Sequence, residues 1–429
     1  MRLYSTLQRE KVELPPPPGP IRMYFCGPTV YQRIHIGNAR PFVVSMWLRR
    51  WLEQRGYRVT LVENITDVND KIYLAAPGDS ARLAADASHW YVEDTDLLGL
   101  GRPDHEPKAT ETVPEIVSLI EELVERGLAY PAGGDVYFRV ARFPTYGALS
   151  GRLDAESTRN PSEEQELGEL KEDPRDFALW KARKEGEDTS WESPWGWGRP
   201  GWHIECSAMA EKFLGPAFEI HGGGLDLVFP HHENEIAQSR GAGREFAKVW
   251  MHNGMLRLAG EKMSKSLGNI VPLREALERW GKETVLVFFM TAHWSKPLEF
   301  SDDTMAQANA QWIGFQGAFR VARQEPGMDE WARLVTALDD DFNTAEALAV
   351  LHDWRARGYW YLLDQGLEVF GLALPPMAGA GLEADRLRRE RDDARRNKEW
   401  VKADELREQI RRHGVDVVDE PSGSRLVPL

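Results

Sequence analysis

The chain has 429 residues, a formal net charge of −15, 42% hydrophobic residues and two cysteines. That length exceeds one ordinary core and predicts two to four domains, and the lack of any long apolar run excludes a membrane-spanning helix. The scarcity of cysteine and an N-terminus without the apolar core of a secretion signal predict a cytoplasmic protein, and the acidic balance argues against a nucleic-acid partner unless the cations gather on one face.

Residues 13–20 (Glu-Leu-Pro-Pro-Pro-Pro-Gly-Pro) can form neither a helix nor a central strand and lead into the first strand, Ile21–Cys26. Gly27-Pro28-Thr29 breaks that strand. A helical pattern starts near Gly37, with Phe42, Val43, Met46, Trp47 and Leu52 on one side and Pro41 in its first turn. Val59–Val62 reads as the next strand, so the segment is a parallel βαβ unit. Residues 80–127 are largely helical by spacing. Residues 133–200 read as an insertion: Asp135–Val140 alternates like a strand, Glu163–Asp176 is an acidic run expected to be a solvated loop, and Trp191–Pro200 is a loop rich in Trp, Gly and Pro. Strand and helix signals alternate again over 203–250, and from about 305 the chain looks all-helical. Leu372–Leu382, with Pro375 and Pro376, reads as a linker. Residues 383–412 read as one long charged helix with eleven Lys or Arg against nine Asp or Glu, slightly basic within an acidic chain. Gly414 is its stop, and a short Val-rich segment closes the chain.

Four groups of residues carry chemistry. The first is His35-Ile36-Gly37-Asn38, at the junction of a loop and a helix. A helix N-terminus offers free N–H groups to phosphate, Gly37 lets a ligand approach the backbone, and an imidazole can donate to a phosphate or ribose oxygen. A surface-turn histidine would explain this string alone equally well. The second is Glu261-Lys262-Met263-Ser264-Lys265-Ser266-Leu267-Gly268-Asn269, where lysine charges and serine hydroxyls suit a triphosphate. The third joins Cys26, at the end of the first strand, to Cys206 in Gly201–Met209 and to His231 and Glu235 in Phe229–Glu235. If Pro230 opens a helix, positions 231 and 235 share one face. Two thiolates, an imidazole and a carboxylate suit tetrahedral zinc; two buried, inert cysteines and a packed histidine are the bland alternative. The fourth is the glycine run in His221–Asp226, where Gly222, Gly223 and Gly224 allow backbone approach to a nucleotide or simply make a turn.

The first two strings resemble the HIGH and KMSKS markers of class I aminoacyl-tRNA synthetases, with Asn38 in the last position of the first. The third group resembles cysteinyl-tRNA synthetases. The likeness runs along nearly the whole chain, through Asn64–Ile72, His221–Leu227 and Asp339–Thr344. It implies an α/β, Rossmann-like parallel-sheet catalytic domain with an inserted connective domain, followed by a C-terminal all-helical tRNA-binding region. The expected divisions are 1–130 and 201–255 for the halves of the catalytic domain, 131–200 for the insertion and 256–305 for the KMSKS loop and stem-contact region; 306–375 form a DALR-like bundle and 383–429 an anticodon-binding module.

The resemblance also implies one Zn2+ per chain on Cys26, Cys206, His231 and Glu235, with the substrate thiolate as a further ligand. ATP with Mg2+ would meet His35, Gly37, Asn38, Gly222, Gly223, Gly224, Lys262, Ser264, Lys265 and Ser266, of which His35, Asn38, Lys262 and Lys265 are catalytic. Thr29, Thr66, Trp202 and Asp226 would hold L-cysteine, Asp226 by its ammonium. The expected partners are tRNA(Cys), L-cysteine and ATP, with no membrane, and the expected state is a monomer. A related ligase that passes cysteine to a small amine shares the catalytic half; Ala394–Asp404 favours the tRNA enzyme, because it resembles the synthetase C-terminal module. A non-catalytic, zinc-stabilised RNA-binding protein is the third reading, and the intact lysine loop argues against it. The helical region between Asn343 and Pro375 looks short for the family, and Pro421–Leu426 lacks the terminal aromatic that could stack on an anticodon base, which predicts a weakened or rearranged anticodon contact.

Overall fold

A computed structural model describes residues 1–152, 170–258, 261–262, 270–321, 324–374, 382–420 and 423–428. Its centre is a four-stranded parallel sheet in the order Phe246–Asn253, Ala217–Gly224, Pro20–Phe25, Arg58–Glu63. Tyr24, Phe25, Leu61, Ile220 and Val249 are all buried, because a parallel sheet is covered on both faces by the helices that connect its strands. Ile36–Gln54 links the two strands of the βαβ unit and buries twelve of its residues. Trp202–Leu214 and Glu233–Gly241 flank the strand Ala217–Gly224 in the chain. This topology gathers Cys26, Glu63, Gly224 and Asn253 at the C-terminal ends of neighbouring strands, where open α/β sheets form their crevice.

The first helix runs from Ile36, one residue before the predicted position, and Pro41, its sixth residue, lies in the second turn and not the first. Proline has no N–H to offer the carbonyl four residues back, so the Gly37 carbonyl loses its intrahelical donor. Both residues line the crevice.

Residues 80–127 form two helices, Ser80–Asp96 and Val113–Glu125, joined by a segment that bridges the sheet edge at Val62 and Ile65. The insertion is an antiparallel sheet in the order Ala129–Ala132, Asp135–Phe138, Phe177–Ala182, Gly198–Pro200. Its Phe138, Phe177 and Trp180 share a core with Ile204 and Ala237, so it is packed onto the helices that carry the site. The acidic run is not solvated throughout. Asp176 is buried and accepts hydrogen bonds from Tyr130 Oη (2.8 Å) and the Val140 N–H (2.9 Å), which tie the run to the insertion's strands; residues 163–169 of the run lie outside the described residues.

Beyond the sheet the strand Leu256–Leu258 pairs with Leu298–Phe300 and with Glu261–Lys262. The helices Leu273–Trp280, Lys282–Met290, Asp302–Gln316, Glu330–Asp339, Thr344–Arg357 and Trp360–Val369 follow. They dock on the first helix, where Trp47 Nε1 donates to the Phe370 carbonyl (2.9 Å) and Trp51 Nε1 to Asp339 Oδ1 (3.0 Å). Both indoles are buried, as are those of Trp180, Trp250, Trp294 and Trp354, which gives much of the tryptophan content a role in the core.

The predicted long charged helix is two helices, Leu382–Arg396 and Trp400–Arg412, broken where Lys398 takes a left-handed φ of 61°. A single helix would leave two apolar stripes in water. The break lets Ala384, Leu387 and Ala394 pack with Ala403, Leu406 and Ile410, and the hairpin Val415–Glu420/Gly423–Pro428 closes that small core with Val415 and Val417. Among the described residues no helix is long and apolar enough to cross a membrane.

Candidate active site and metal centre

The two cysteines come together from separate elements. Cys26 follows directly on the strand Pro20–Phe25, and Cys206 lies in the first half of Trp202–Leu214. Their sulfurs are 3.7 Å apart, too far for a disulfide bond of about 2.0 Å. Two zinc–sulfur bonds of about 2.3 Å at a tetrahedral angle would set the sulfurs ~3.8 Å apart. Glu235 Oε1 lies 3.6 Å from Cys26 Sγ and 3.0 Å from His231 Nε2. The ligand atoms of Cys26, Cys206, His231 and Glu235 all fall within 4.8 Å of one another, and all four residues are buried. The second carboxylate oxygen, Oε2, is buried without a hydrogen-bond partner; His221 Nε2 stands 2.9 Å from it but out of hydrogen-bonding alignment. A buried carboxylate left this open, beside two thiols, is a donor set that fits a divalent cation.

Helical backbone begins at Pro230, after an extended Phe229 (φ −141°, ψ 134°), and passes through a wide turn over Val228–His232 into Glu233–Gly241. That geometry puts His231 and Glu235 on one face, as their spacing predicts. Outer partners fix the imidazole: His231 Nδ1 meets His203 Nδ1 at 2.9 Å, and the Trp202 ring stacks on it at 4.2 Å. Cys26, His221, His232 and Glu235 form a second, overlapping set of the same tightness. By sequence His221 belongs to the glycine run, and neither His232 nor His203 is marked as a ligand. The doubled His231-His232 was the available signal. From His232 a chain of contacts leads away, Nε2 to Cys26 Sγ (3.4 Å), Nδ1 to His252 Nε2 (2.8 Å), and His252 Nδ1 to Thr6 Oγ1 (2.7 Å).

Burial pushes the Cys26 thiol well above its ordinary value, with Cys206 beside it adding to the shift, and burial raises Cys206 as well. Burial and neighbouring imidazoles push His231 and His232 well down, and His252 down to about 3. The imidazoles are therefore held in the neutral form that ligates metal, whereas thiolates in this place need a cation between them.

Cys26 is shared with an open cleft. Thr29, His35, Gly37, Asn38, Trp202, Gly224 and Asp226 line it too, so eight of the residues singled out from sequence meet there. His35 caps the helix Ile36–Gln54, its Nδ1 accepting from the Asn38 N–H (3.3 Å), which puts the proton of the neutral ring on Nε2. Gly37 is required by this fold of the ring: a Cβ there would lie 2.9 Å from His35 Nδ1. Thr66 is buried behind Thr29, bridged to it by backbone hydrogen bonds, and its Oγ1 accepts from Asn64 Nδ2 (3.2 Å). Asn64 Oδ1 in turn takes the Gly27 N–H and sits 3.7 Å from Cys206 Sγ.

The glycine run divides. At Gly222 a Cβ would meet the Phe25 ring at 2.3 Å, and at Gly223 it would meet Leu227 at 2.8 Å, so packing demands both glycines; of the three, only Gly224 lines the cleft. Glu63, Lys71 and Asn253 also line the cleft; Lys71 lies in the Asn64–Ile72 string without a role assigned from sequence, and no local motif marks Glu63 or Asn253. Asn253 Nδ2 donates to the Gly223 carbonyl (3.2 Å) while its Oδ1 is buried without a partner.

Ser264, Lys265 and Ser266 lie outside the described residues, and Lys262 is described only through its backbone pairing with Arg257. Both flanks of that loop are tied to the cleft. Leu256 lines it on one side; on the other, Ile36 N–H donates to the Val271 carbonyl (3.0 Å) and Leu273 N–H to the Ile34 carbonyl (2.9 Å). The segment that follows the lysine string is thus bonded to the His35 segment.

Comparison with known proteins gives the same picture. The family model for the tRNA synthetases class I (C) catalytic domain matches residues 15–310, that for the DALR domain residues 333–357, and that for the cysteinyl-tRNA ligase anticodon binding domain residues 378–425. The chain is 40% identical to the cysteine--tRNA ligase of Geobacillus thermodenitrificans and 42% identical to that of Halalkalibacterium halodurans, in each case over 99% of this chain and 98% of the relative. It is 43% identical to the cysteine--tRNA ligase of Methylobacillus flagellatus over 99% of both chains. In fold it is similar to the Mycobacterium tuberculosis methionyl-tRNA synthetase solved with methionyl-adenylate, with a TM-score of 0.54, 15% identity and coverage of 87% of this chain and 84% of that one. Near-complete coverage at this identity shows that the chain belongs to the cysteine--tRNA ligase family of class I synthetases.

Proposed function

We propose that the chain joins L-cysteine to tRNA(Cys) through a cysteinyl-adenylate made from ATP. The observation that carries this reading is Cys26, which belongs both to the buried donor cluster and to the cleft beneath the capped helix. An amino-acid sulfur directed to that cluster leaves its carboxylate facing a nucleotide in the same cleft. Cys26, Cys206, His231 and Glu235 would hold zinc, which when bound would supply a soft acceptor for the sulfur of cysteine that the hydroxyl of serine satisfies far less well. Selection of this kind needs no second site to remove serine, whereas an apolar pocket rejects a near-isostere only weakly.

The protein's own groups position the rest. Asp226 pairs with the substrate ammonium, and Trp202, Thr29 and Thr66 enclose the amino acid. The carboxylate attacks the α-phosphorus in line, the bond to the bridging oxygen breaks, and pyrophosphate leaves. His35 donates from Nε2 to a phosphate oxygen, Asn38 and Gly37 present the helix N-terminus, and Lys262 and Lys265 neutralise the leaving pyrophosphate, to which Ser264 and Ser266 donate hydrogen bonds, with Mg2+ accompanying ATP. Gly224 offers backbone to the nucleotide, with Gly222 and Gly223 shaping the strand that carries it. The terminal ribose hydroxyl of the tRNA then attacks the activated carbonyl and AMP leaves. Catalysis is positioning and charge stabilisation, with no covalent enzyme intermediate.

The divisions at 1–130, 131–200, 201–255, 256–305, 306–375 and 383–429 are the proposed domains, the last reading the anticodon. The anticodon-domain match over 378–425 supports tRNA over a small amine as acceptor. We place the enzyme in the cytoplasm, as a monomer. The test is charging of bulk tRNA with labelled cysteine, alongside cysteine-dependent pyrophosphate exchange without tRNA. Label on tRNA is expected. Exchange without label would favour a small-amine ligase, and absence of both from zinc-loaded protein would overturn the reading.

A further inference from the structure

Three segments far apart in the chain meet behind His35. The segment from Arg33 to Ile36 runs antiparallel to the segment from Val271 to Arg274, with His35 opposite Pro272. Two backbone hydrogen bonds join them, from the Ile36 N–H to the Val271 carbonyl (3.0 Å) and from the Leu273 N–H to the Ile34 carbonyl (2.9 Å). So short a pairing between two loops opens easily unless something outside it holds both sides.

The third segment is the helix Ser80–Asp96, which presents Trp90, Glu93 and Asp94 on one face, at positions i, i+3 and i+4. Arg33 donates from Nη1 to Asp94 Oδ1 (2.6 Å) and from Nη2 to Glu93 Oε2 (3.3 Å), and its guanidinium lies over the Trp90 ring, 5.4 Å from the centroid. Arg274 donates from Nε to the same Asp94 Oδ1 (2.8 Å) and from Nη2 to the same Glu93 Oε2 (3.3 Å). Arginines from the two sides of the pairing thus fork across one pair of oxygens.

Two guanidiniums at this separation repel each other, and the two carboxylates between them balance the charge. Asp94 is fully buried, and among the described residues its Oδ2 meets no hydrogen-bond donor, so the cost of burying this carboxylate is offset through Oδ1 and the two arginines. The helix is a firm reference for them. Its buried Tyr91 donates from Oη to Glu63 and meets the Phe42 ring edge-on at 6.4 Å. Without the charge on Asp94 a single carboxylate would face two cations, and the arginines would part together with the backbone that carries them.

We propose that Asp94, assisted by Glu93, is a positioning residue for amino-acid activation. By holding Arg33 and Arg274 on shared oxygens it fixes the His35 cap, and with it the start of the helix Ile36–Gln54, against the segment from Val271 to Arg274. Neither carboxylate lines the cleft, so both act through His35 and the helix N-terminus. The proposal rests on the ligase reading, in which that N-terminus meets the phosphates of ATP.

Asp94→Asn keeps the shape and removes the charge. Zinc content and the KM for cysteine should stay within roughly two-fold of wild type, while kcat for cysteine-dependent pyrophosphate exchange should fall about ten-fold or more, the scale of misplacing a positioned group. In a His35→Ala background the same substitution should cost about two-fold or less, because the group it positions is gone. Hydrogen exchange at the Ile36 and Leu273 amides should quicken about ten-fold, with the strands Pro20–Phe25 and Ala217–Gly224 as protected as in wild type. Arg33→Gln, at a partly exposed side chain, should repeat this pattern more weakly even where Asp94→Asn fails to fold, and Arg33→Lys should recover most of the exchange rate. Equal losses with and without His35, unchanged protection of both amides, or loss of protection throughout the sheet in both variants would overturn the positioning role. A wild type without cysteine-dependent exchange would overturn the ligase reading and the activation role with it; the amides report on the clamp without any substrate, so the two failures are distinguishable.

Discussion

His231 and Glu235, one helical turn apart, hold Nε2 and Oε1 3.0 Å from each other in a fully buried position beside the only two sulfurs of cysteine in the chain. Nothing in the hydrophobic core needs such a pair. Buried carboxylates and thiols cost folding free energy unless something between them compensates, so their convergence is best explained by a bound cation.

Cys206→Ser should therefore remove zinc and cysteine recognition together. A hydroxyl is a far poorer zinc ligand than a thiolate, so metal affinity should fall by more than the roughly 10–100-fold typical of losing an outer partner. Metal analysis of dialysed protein and the KM for cysteine in pyrophosphate exchange check this. Retention of one zinc per chain would count against the assignment.

His203→Ala removes the group that meets His231 Nδ1 at 2.9 Å while leaving the four proposed ligands. The expected effect is intermediate, roughly 10–100-fold in zinc affinity, with the fold kept. Competition against a chelator of known affinity would measure it, and circular dichroism would verify the fold.

Lys265→Ala addresses the loop whose following segment is bonded to the His35 segment. Adenylate formation should drop by about 10²–10³-fold, the scale of losing one charge-stabilising donor, with cysteine binding nearly unchanged. Equal losses in the two would remove Lys265 from the proposed role.

Gly222→Ala is predicted to destabilise the protein. Its Cβ would lie 2.3 Å from the ring of the buried Phe25, its register partner on the neighbouring strand, so the ring would have to shift within a packed core. Overpacking of this kind costs about 1–3 kcal/mol, readable as a lower urea midpoint with an unchanged slope.

Glu63 gives a pH signature. Burial raises its carboxyl from 4.5 to about 8, with Tyr91 donating to one oxygen and opposing the shift. Between those two values the folded chain holds a proton that the unfolded chain has released, so this residue makes stability fall as pH rises from about 4.5 to about 8. Glu63→Gln keeps an acceptor for Tyr91 and removes the ionisation. The variant should match wild type near pH 4.5 and exceed it by a few kcal/mol near pH 8, since a tenfold change in proton affinity is worth about 1.4 kcal/mol. Parallel stability curves across that range would refute the assignment.

Local rules made much of this protein legible from sequence. The strand, loop and helix around Cys26 follow from a short apolar run, a Gly-Pro break and a 3.6-residue pattern, and the observed strand Pro20–Phe25 and helix Ile36–Gln54 lie within a residue or two of expectation. The proposed zinc set was readable because the two cysteines are the only ones in the chain and because four-residue spacing puts His231 and Glu235 on one helical face. Other features belong to the tertiary structure alone. His221 and His232 join the donor cluster with His203 and His252 in contact behind it, Glu63 and Asn253 reach the cleft, and Gly222 and Gly223 answer to packing, because these residues meet others on different strands and helices whose neighbours are chosen by sheet order. The break at Lys398 is of the same kind. Charge spacing along 383–412 allows one helix, and only the chance to bury Leu387 against Leu406 and Ile410 decides for two. Periodicity reports what a segment does by itself; which groups become neighbours depends on burial of apolar surface contributed by the whole chain.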